Sequence, residues 1–238
     1  MPISAELEAV IKSYQPTEDG KKLAAESRLL LIAGAAGSGK DSIIKELLQT
    51  GDYEFMVSHT TRPARPDETN GQDYYFIDWP TAESMVKAKR FLEVGLVYDD
   101  HLFGTSLAEL RRIKNSGKIA VTDIDVDGAQ AYYDLNPRVK AVFILPPSYE
   151  EWIRRLAERD GNKDQAAIRR RLSDAHAWLE QALKAGYFRF VIHTDLNQAV
   201  ADVKAYAEND AVLPGGADDT RLEHAWHVLG ELKRQLNS

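Results

Sequence analysis

One segment of the chain combines glycines and a lysine in a spacing that binds phosphate. Gly34, Gly39 and Lys40 fit the pattern G-x-x-x-x-G-K, between an apolar run and a run with helical spacing. Glycines let the backbone curl until successive N–H groups point at phosphate oxygens, and the helix that follows adds its positive end. The lysine reaches the β- and γ-phosphates of a nucleotide. The residues expected to bind a triphosphate are Gly34, Ala35, Ala36, Gly37, Ser38, Gly39, Lys40, Asp41 and Ser42.

The residue after this lysine departs from the usual phosphate-loop pattern. Ser or Thr is common there because its hydroxyl ligates Mg²⁺, whereas here Asp41 follows Lys40 and Ser42 comes next. A carboxylate binds a hard cation more strongly than a hydroxyl does, but it also places negative charge beside a triphosphate. The sequence therefore makes Asp41 a candidate metal ligand and leaves the sign of its effect on activity open.

A second candidate anion site lies in residues 57–76. Arg62 and Arg65 stand among hydroxyl residues and prolines, which predicts a rigid loop able to hold one phosphate. This segment resembles the GMP-binding segment of guanylate kinases, the P-loop enzymes that phosphorylate GMP. The family pattern S-x-T-T-R-x-x-R-x-x-E-x-x-G-x-x-Y-x-F is filled at every position from Ser58 to Phe76.

The resemblance runs from Arg28 to Glu208. Its later motifs are Phe91-Leu92-Glu93, Phe103-Gly104-Thr105, Ser116-Gly117-Lys118 and Asp123-Ile124-Asp125-Val126-Asp127-Gly128, followed by an arginine-rich segment. It implies an α/β fold of the P-loop NTPase type: a parallel sheet with helices on both faces, a small GMP-binding subdomain over residues 55–106 and an Arg-rich lid over 150–172. This domain would span residues 28–208, after an N-terminal helical extension over 1–27 and before a linker and C-terminal helix over 209–238.

The resemblance also implies a role for each candidate site residue. The residues that would bind guanine are Ser58, Glu93, Thr105 and Asp125. The residues that would hold the α-phosphate of GMP are Arg62, Arg65 and Tyr74. The catalytic cations would be Lys40, Arg155, Arg159 and Arg171, and Asp123 would be a ligand of Mg²⁺. Asp41, which departs from the family pattern, is the second candidate ligand because of its carboxylate. The alternatives are structural: helix caps or ion-pair partners for Glu93 and Asp125, and an exposed basic helix face for the arginines.

The reaction that the resemblance implies is ATP + GMP → ADP + GDP, with dGMP as a second acceptor and Mg²⁺ as cofactor. The departures from the family pattern are Asp41, Phe103 for tyrosine, Asp127 for glutamine, His193 for asparagine and Asp160-Gly161 in the lid. None of them removes Lys40, Arg62, Arg65 or Glu93. Two alternatives stay open: a kinase similar to ribose 1,5-bisphosphate phosphokinases, in which Gly-Lys-Asp-Ser is also expected, and a weakly active or non-catalytic guanylate kinase-like binding module.

The framework that must position these motifs is predicted by the hydrophobic pattern. The predicted strands are Leu29–Ala33, Phe55–Ser58, Tyr74–Ile77, Ile119–Ile124, Val139–Leu145 and Phe188–His193. The predicted helices are Asp41–Gln49, Thr81–Lys89, Leu107–Asn115, Gly128–Leu135, Tyr149–Glu158, Ala166–Ala185 and Leu196–Ala207, the last capped by Asp195. Apolar strands that alternate with helices are typical of a parallel sheet covered on both faces.

Both ends of the chain look like additions to this framework. An N-terminal helix has one apolar face, and residues 15–19 are expected to be a linker. The residues of that face are Ile3, Leu7, Val10, Ile11 and Tyr14. After a break at Leu213–Gly216, a C-terminal helix is predicted with Leu222, Trp226, Leu229 and Leu236 on one stripe. These helices either pack on the outside of the domain or pair with another subunit as a homo-oligomer.

Composition sets limits on function and location. Lys and Arg total 30 against 37 Asp and Glu, a formal net charge of −7, which argues against duplex nucleic acid as the main partner. The chain has no cysteine, which excludes disulfide scaffolds and cysteine nucleophiles. It has no apolar run long enough to cross a bilayer and no signal-peptide pattern. We therefore expect a cytoplasmic protein that binds neither membrane nor nucleic acid. The family resemblance implies that it is an enzyme of purine nucleotide metabolism.

Overall fold

The computed structural model describes residues 3–97, 101–160, 165–209 and 218–237. The elements are, in chain order, α1 (Ala5–Lys12), α2 (Glu18–Ala25), β1 (Leu29–Ala33), α3 (Lys40–Gln49), β2 (Tyr53–Phe55), β3 (His59–Thr60), β4 (Tyr75–Phe76), α4 (Trp79–Lys87), β5 (Phe91–Val97), β6 (His101–Ser106), α5 (Leu107–Ser116), β7 (Ile119–Asp123), α6 (Val126–Leu135), β8 (Lys140–Leu145), α7 (Tyr149–Asp160), α8 (Gln165–Ala185), β9 (Arg189–Ile192), α9 (Leu196–Asn209) and α10 (Asp218–Leu236). None of the helices in these ranges is both long and apolar enough to cross a lipid bilayer. The predicted α/β fold, with parallel strands flanked by helices, is confirmed.

The chain forms two compact units. The first unit consists of Met1–Leu29, Asp52–Thr122 and Gln130–Val139. The second unit consists of Leu30–Gly51, Asp123–Ala129 and Lys140–Ser238. The segment from Ser58 to Phe76 therefore belongs to the first unit, and the phosphate loop belongs to the second.

A four-stranded sheet organises the first unit, in the order β4-β3-β6-β5. β3 pairs parallel with β4, whereas β6 pairs antiparallel with both β3 and β5. The β5–β6 pair was not predicted, because polar residues such as Glu93 and His101 break the apolar runs on which the prediction relied. The pairing shifts register between Phe91 and Glu93, so β5 contains a bulge there.

The N-terminal helices pack within the first unit. α1 contacts β5 and α4, and its buried residues Leu7 and Ile11 share a hydrophobic cluster with Val86 and Phe91. The prediction of a linker over residues 15–19 is wrong, because α2 begins inside it. The Thr17 side chain accepts a hydrogen bond from the Gly20 N–H at 3.1 Å and caps that helix.

The second unit is built on the parallel strands β1, β8 and β9. β8 lies between the other two, with Leu31 opposite Ala141 and Phe143 opposite Phe190. All five residues of β1 are buried, as expected for a strand that is covered on both faces. α9 packs on β8, β9 and α3. Its predicted cap is confirmed, because the Asp195 carboxylate accepts a hydrogen bond from the Gln198 N–H at 2.9 Å.

The C-terminal helix packs within the second unit, but only in part through the predicted stripe. α10 contacts α8, β9 and α7, and its buried residues are Ala225, Val228, Leu229 and Leu232. Leu222 and Trp226 are exposed by 39% and 52%, so the stripe prediction is wrong for these two residues. The predicted break at Leu213–Gly216 lies outside the described residues.

Candidate active site

The phosphate loop joins β1 to α3 as the sequence predicts. Gly34 and Gly39 have φ values of 151° and 93°, which side chains rarely allow. A Cβ atom at Gly34 would lie 2.8 Å from the Ile144 carbonyl oxygen, and one at Gly39 would lie 1.9 Å from His193 Nδ1. The Ser38 hydroxyl is buried and has no hydrogen-bond partner among the residues that the structure describes. The backbone of α3 begins at Lys40, so its free N–H groups lie at the end of the loop.

Lys40 lies between two carboxylates of the second unit. Its Nζ is 3.0 Å from Asp41 Oδ1 and also donates to Asp123 Oδ2. Asp123 is the last residue of β7, and Asp41 is in the first turn of α3. Two candidate metal ligands therefore converge on the predicted catalytic lysine.

The charges of this cluster shift the pKa values of its members. Burial has the largest effect on the pKa of Lys40 and lowers it, but the charges and hydrogen bonds of Asp123 and Asp41 outweigh burial and raise it. The pKa of Asp123 is raised by burial, which outweighs the opposing effect of Lys40, and the charges of Asp41 and Asp125 raise it further. The lysine therefore keeps its proton, and the excess negative charge around it suits a divalent cation.

Asp125 serves the start of α6. Its Oδ1 accepts a hydrogen bond from the Gly128 N–H at 2.7 Å, so one of its oxygens is a helix cap, as the structural alternative proposed. The pKa of Asp125 is raised, mainly by burial. A capping contact does not by itself test a second role, so the binding of guanine N2 by Asp125 stays a prediction.

Arg155 is the arginine that the structure places against the phosphate loop. From α7 its Nε donates to Glu151 at 2.8 Å, and its Nη1 lies 3.5 Å from the Ser38 carbonyl oxygen. Arg171 is half-buried on α8. The side chain of Arg159 lies outside the part of the chain that the structure describes.

Two residues near the loop had no predicted role. His193, which sequence analysis noted only as a departure from the family pattern, contacts the Ser38 carbonyl oxygen through Nδ1 at 3.0 Å. Trp152 donates from its indole nitrogen to the Ala36 carbonyl oxygen at 2.7 Å. The sequence could have indicated the contact of Trp152, because this residue lies one turn before Arg155 on the same helix.

The first unit brings three of the predicted guanine-binding residues together. The hydroxyls of Ser58 and Thr105 lie 3.2 Å apart. Glu93 Oε1 accepts a hydrogen bond from the Thr105 N–H at 2.9 Å across the β5–β6 pair. A carboxylate and two hydroxyls therefore meet on one part of the sheet, as the family resemblance implied.

Glu68 joins the two arginines predicted to hold the acceptor phosphate. Its Oε1 accepts from Arg62 Nη2 and its Oε2 from the Arg65 N–H, both at 2.7 Å. The hydrogen bond from Arg62 lowers the pKa of Glu68. The guanidinium carbon of Arg62 lies 5.5 Å from the centroid of the Tyr74 ring, and that ring meets Phe103 edge-on at 5.6 Å. The loop thus gathers Arg62, Arg65 and Tyr74, and Glu68 is the organising residue that had no predicted role.

Comparison with known proteins places these motifs in one family. The family model described as guanylate kinase matches residues 26–210. The chain is 36% identical over 182 residues to a guanylate kinase of Sodalis glossinidius, covering 75% of this chain and 86% of that protein. It is 32% identical over 209 residues to a guanylate kinase of Alkalilimnicola ehrlichii, covering 87% and 97%. It is 38% identical over 179 residues to a guanylate kinase of Thermus thermophilus, covering 75% and 79%.

A solved structure shares the fold. The crystal structure of guanylate kinase from Anaplasma phagocytophilum matches with a TM-score of 0.60 and 23% sequence identity, covering 77% of this chain and 86% of that one. The matched family region contains both the phosphate loop and the segment from Ser58 to Phe76. On this evidence, the chain belongs to the guanylate kinase family.

Proposed function

We propose that this protein transfers the γ-phosphoryl group of ATP to GMP, and to dGMP, and releases ADP and GDP. The observation that carries the proposal is the group formed by Ser58, Glu93 and Thr105, in a chain that also has an intact phosphate loop. In the transfer, an oxygen of the GMP phosphate bonds to the γ-phosphorus as the bond to the β–γ bridging oxygen of ATP breaks. No side-chain nucleophile is required, so positioning and charge supply the catalysis.

Guanine matches the polar groups of the first unit. Its N1–H and N2–H₂ are donors, which suit the carboxylate of Glu93, and its O6 is an acceptor, which suits the hydroxyls of Ser58 and Thr105. Adenine would place its N1 lone pair against Glu93 and its amino group against the hydroxyls. A site with buried polar groups can reject such a mismatch by about 10⁴–10⁵-fold. Asp125 is the proposed second carboxylate at N2.

The acceptor phosphate would be held by Arg62, Arg65 and Tyr74. An arginine side chain can form paired hydrogen bonds with phosphate. Glu68 already accepts one hydrogen bond from the guanidinium of Arg62 and one from the backbone N–H of Arg65. A bound phosphate would therefore compete with Glu68 or share the arginines with it. Phe103 adds no hydroxyl at the family's tyrosine position, which weakens GMP binding by about one hydrogen bond, or about 0.5–1.5 kcal/mol.

The triphosphate would lie in the loop from Gly34 to Ser42, with Lys40, Arg155, Arg159 and Arg171 as the catalytic cations. Mg²⁺ fits the same place, because Asp41 and Asp123 offer oxygen ligands around one ammonium group. No group of three or more His, Asp or Glu side chains that could hold a metal occurs among the described residues. Mg²⁺ needs only one or two carboxylates, since water and phosphates complete its shell. When bound, it would neutralise charge on the β- and γ-phosphates.

A panel of acceptors tests the proposed function. ADP release from Mg·ATP is followed with GMP, dGMP, AMP, UMP, CMP and ribose 1,5-bisphosphate. We expect turnover with GMP and dGMP alone. Preference for ribose 1,5-bisphosphate would support the related sugar kinase instead, and nucleotide binding without turnover would support a binding module. The comparisons favour neither alternative, because the matched relatives are named guanylate kinases over most of their lengths.

The setting of this activity is part of the proposal. ATP and GMP are small soluble substrates, which fits a cytoplasmic enzyme, and the net charge of −7 gives no general affinity for nucleic acid. Exposed Leu222 and Trp226 on α10 provide the apolar surface that pairing of two chains through an end helix would use. Sedimentation at several protein concentrations tests that pairing, which a monomer at all of them would contradict.

A further inference from the structure

The N-terminal segment reaches the strand that carries the proposed guanine-binding carboxylate. Tyr14 follows α1 and is 9% exposed. Its hydroxyl donates to the Phe91 carbonyl oxygen at 2.8 Å and accepts from the Phe91 N–H at 3.1 Å. A single side chain therefore bonds both backbone polar groups of one residue at the start of β5. Buried backbone groups need such partners, so this contact is costly to lose.

The contact is made where the pairing of β5 with β6 is irregular. Phe91 pairs with Ser106 and Glu93 pairs with Thr105, so β5 has one more residue than β6 in this interval. That extra residue is Leu92. Because side chains alternate along a strand, an inserted residue reverses the face to which the following side chains point. The bulge therefore determines on which face Glu93 lies, and Tyr14 is bonded to the residue at which the bulge begins.

Other contacts hold Tyr14 in place. Lys89 Nζ donates to the Gln15 carbonyl oxygen at 3.0 Å and lies 4.5 Å from the centroid of the Tyr14 ring. The ring also belongs to the hydrophobic cluster that contains Leu7 and Phe91. The pKa of Tyr14 is raised, mainly by burial and in part by the negative charge of Glu93. The phenol therefore stays neutral, and its hydroxyl can donate to the Phe91 carbonyl oxygen.

We propose that Tyr14 is a positioning residue for acceptor selection, which fixes the β5 bulge and thereby the carboxylate of Glu93. This inference rests on the proposed binding of guanine by Glu93. The family model begins at residue 26, so the N-terminal segment that supplies Tyr14 lies outside the matched region. The chain thus supports its acceptor site with a contact from its own extension.

The test compares two substitutions in the full chain. Tyr14→Phe removes the hydroxyl and keeps the ring. Ser4→Ala is the matched control, because it removes the N-cap at the opposite end of α1, where Ser4 Oγ accepts from the Leu7 N–H at 3.2 Å. For Tyr14→Phe we expect the KM for GMP to rise about fivefold, which corresponds to the weakening of one hydrogen bond. We also expect the ratio of kcat/KM for AMP to that for GMP to increase. The kcat and the KM for ATP should stay within about twofold, as for a loss of acceptor binding alone.

Hydrogen exchange of the free protein gives a second readout that needs no substrate. The backbone amides from Phe91 to Glu93 should exchange faster in Tyr14→Phe than in the unsubstituted protein or in Ser4→Ala. If Tyr14→Phe leaves the KM for GMP unchanged, or if Ser4→Ala raises it equally, the inference is overturned. A higher KM without faster exchange in β5 overturns it as well. If the unsubstituted protein does not phosphorylate GMP, the proposed function fails and this inference fails with it.

Discussion

The Nδ1 atom of His193 lies 3.0 Å from the carbonyl oxygen of Ser38 in the phosphate loop. Because a carbonyl oxygen can only accept, the proton is on Nδ1 and the ring donates to the loop. Arg155 reaches the same two residues, with Nη2 3.2 Å from the His193 carbonyl oxygen and Nη1 3.5 Å from that of Ser38. The 3.4 Å approach of Arg155 Nη1 to His193 Nδ1 then joins two donors and is not a hydrogen bond. His193 thus supports both the loop and Arg155, the arginine proposed to act in catalysis.

Substitution of His193 should weaken binding of ATP. His193→Ala removes the donor to Ser38 and the ring that covers Gly39, and we expect the KM for ATP to rise about tenfold, as for one or two lost hydrogen bonds. His193→Asn introduces the residue usual in the family, whose side-chain amide can also donate a hydrogen bond. This substitution should raise the KM for ATP about twofold at most. The KM for GMP should not change in either variant. Steady-state kinetics with ATP varied at saturating GMP measure the KM for ATP of each variant. An equal rise in the two variants would contradict the proposed support of the loop by His193.

Lys40 should be required with every acceptor. Lys40→Met removes the cation proposed to reach the β- and γ-phosphates, and we expect kcat to fall by about a hundred- to a thousandfold, as for other groups that stabilise transition-state charge. Lys45→Met is the matched control, because Lys45 is exposed on the same helix. Coupled assays with GMP and dGMP measure both variants. A loss confined to one acceptor would show that Lys40 acts on acceptor binding instead.

Glu93 should determine the choice of base. Glu93→Ala removes the proposed acceptor for two guanine donors, and we expect kcat/KM for GMP to fall about a hundredfold while the preference for GMP over AMP narrows. Glu68→Ala is a useful comparison, because Glu68 contacts Arg62 and Arg65 instead of Thr105. It should change GMP and AMP use by the same factor. An unchanged ratio of GMP to AMP use in Glu93→Ala would contradict the assignment of Glu93.

The phosphate loop could be predicted from local sequence, whereas the proposed guanine-binding group could not. The phosphate loop is a local pattern, because the strand, the loop and the first helical turn all lie between Leu29 and Ser42. The group of Ser58, Glu93 and Thr105 depends instead on pairing between strands far apart in sequence. Periodicity did not predict β5 and β6, so only the family resemblance joined these residues.

Two details of the terminal segments, the buried side of α10 and the start of α2, were predicted wrongly for a different reason. α10 has apolar residues on more than one side, and its packing on α8 and β9 selects the side that contains the small residue Ala225. A hydrophobic pattern gives more weight to Leu222 and Trp226 than to Ala225, although close packing of helices favours small side chains. The α2 start was recoverable, since Thr17 followed by two acidic residues is a helix N-terminal signal.

The stability of the protein should depend on pH through His59. Its ring packs against Tyr75 at a tilt of 34°, with centroids 4.7 Å apart, and meets Phe91 edge-on at 5.7 Å. Burial lowers the pKa of His59, with partial compensation by the charge of Glu109. As the pH falls below the unfolded value of about 6.5, the unfolded chain binds a proton that the folded state resists, so the free energy of unfolding decreases.

His59→Phe keeps an aromatic ring in this site and removes the titrating group. Urea unfolding at pH 8, 7.5, 7, 6 and 5.5 should show the free energy of unfolding of the unsubstituted protein falling relative to that of the variant as the pH decreases. The difference should approach about 1.4 kcal/mol for each unit by which folding lowers the pKa. Between pH 8 and 7.5 it should be constant, because His59 is then mostly neutral in both states. A difference that stays constant down to pH 5.5 would mean that His59 takes up its proton as readily in the folded protein as in the unfolded chain.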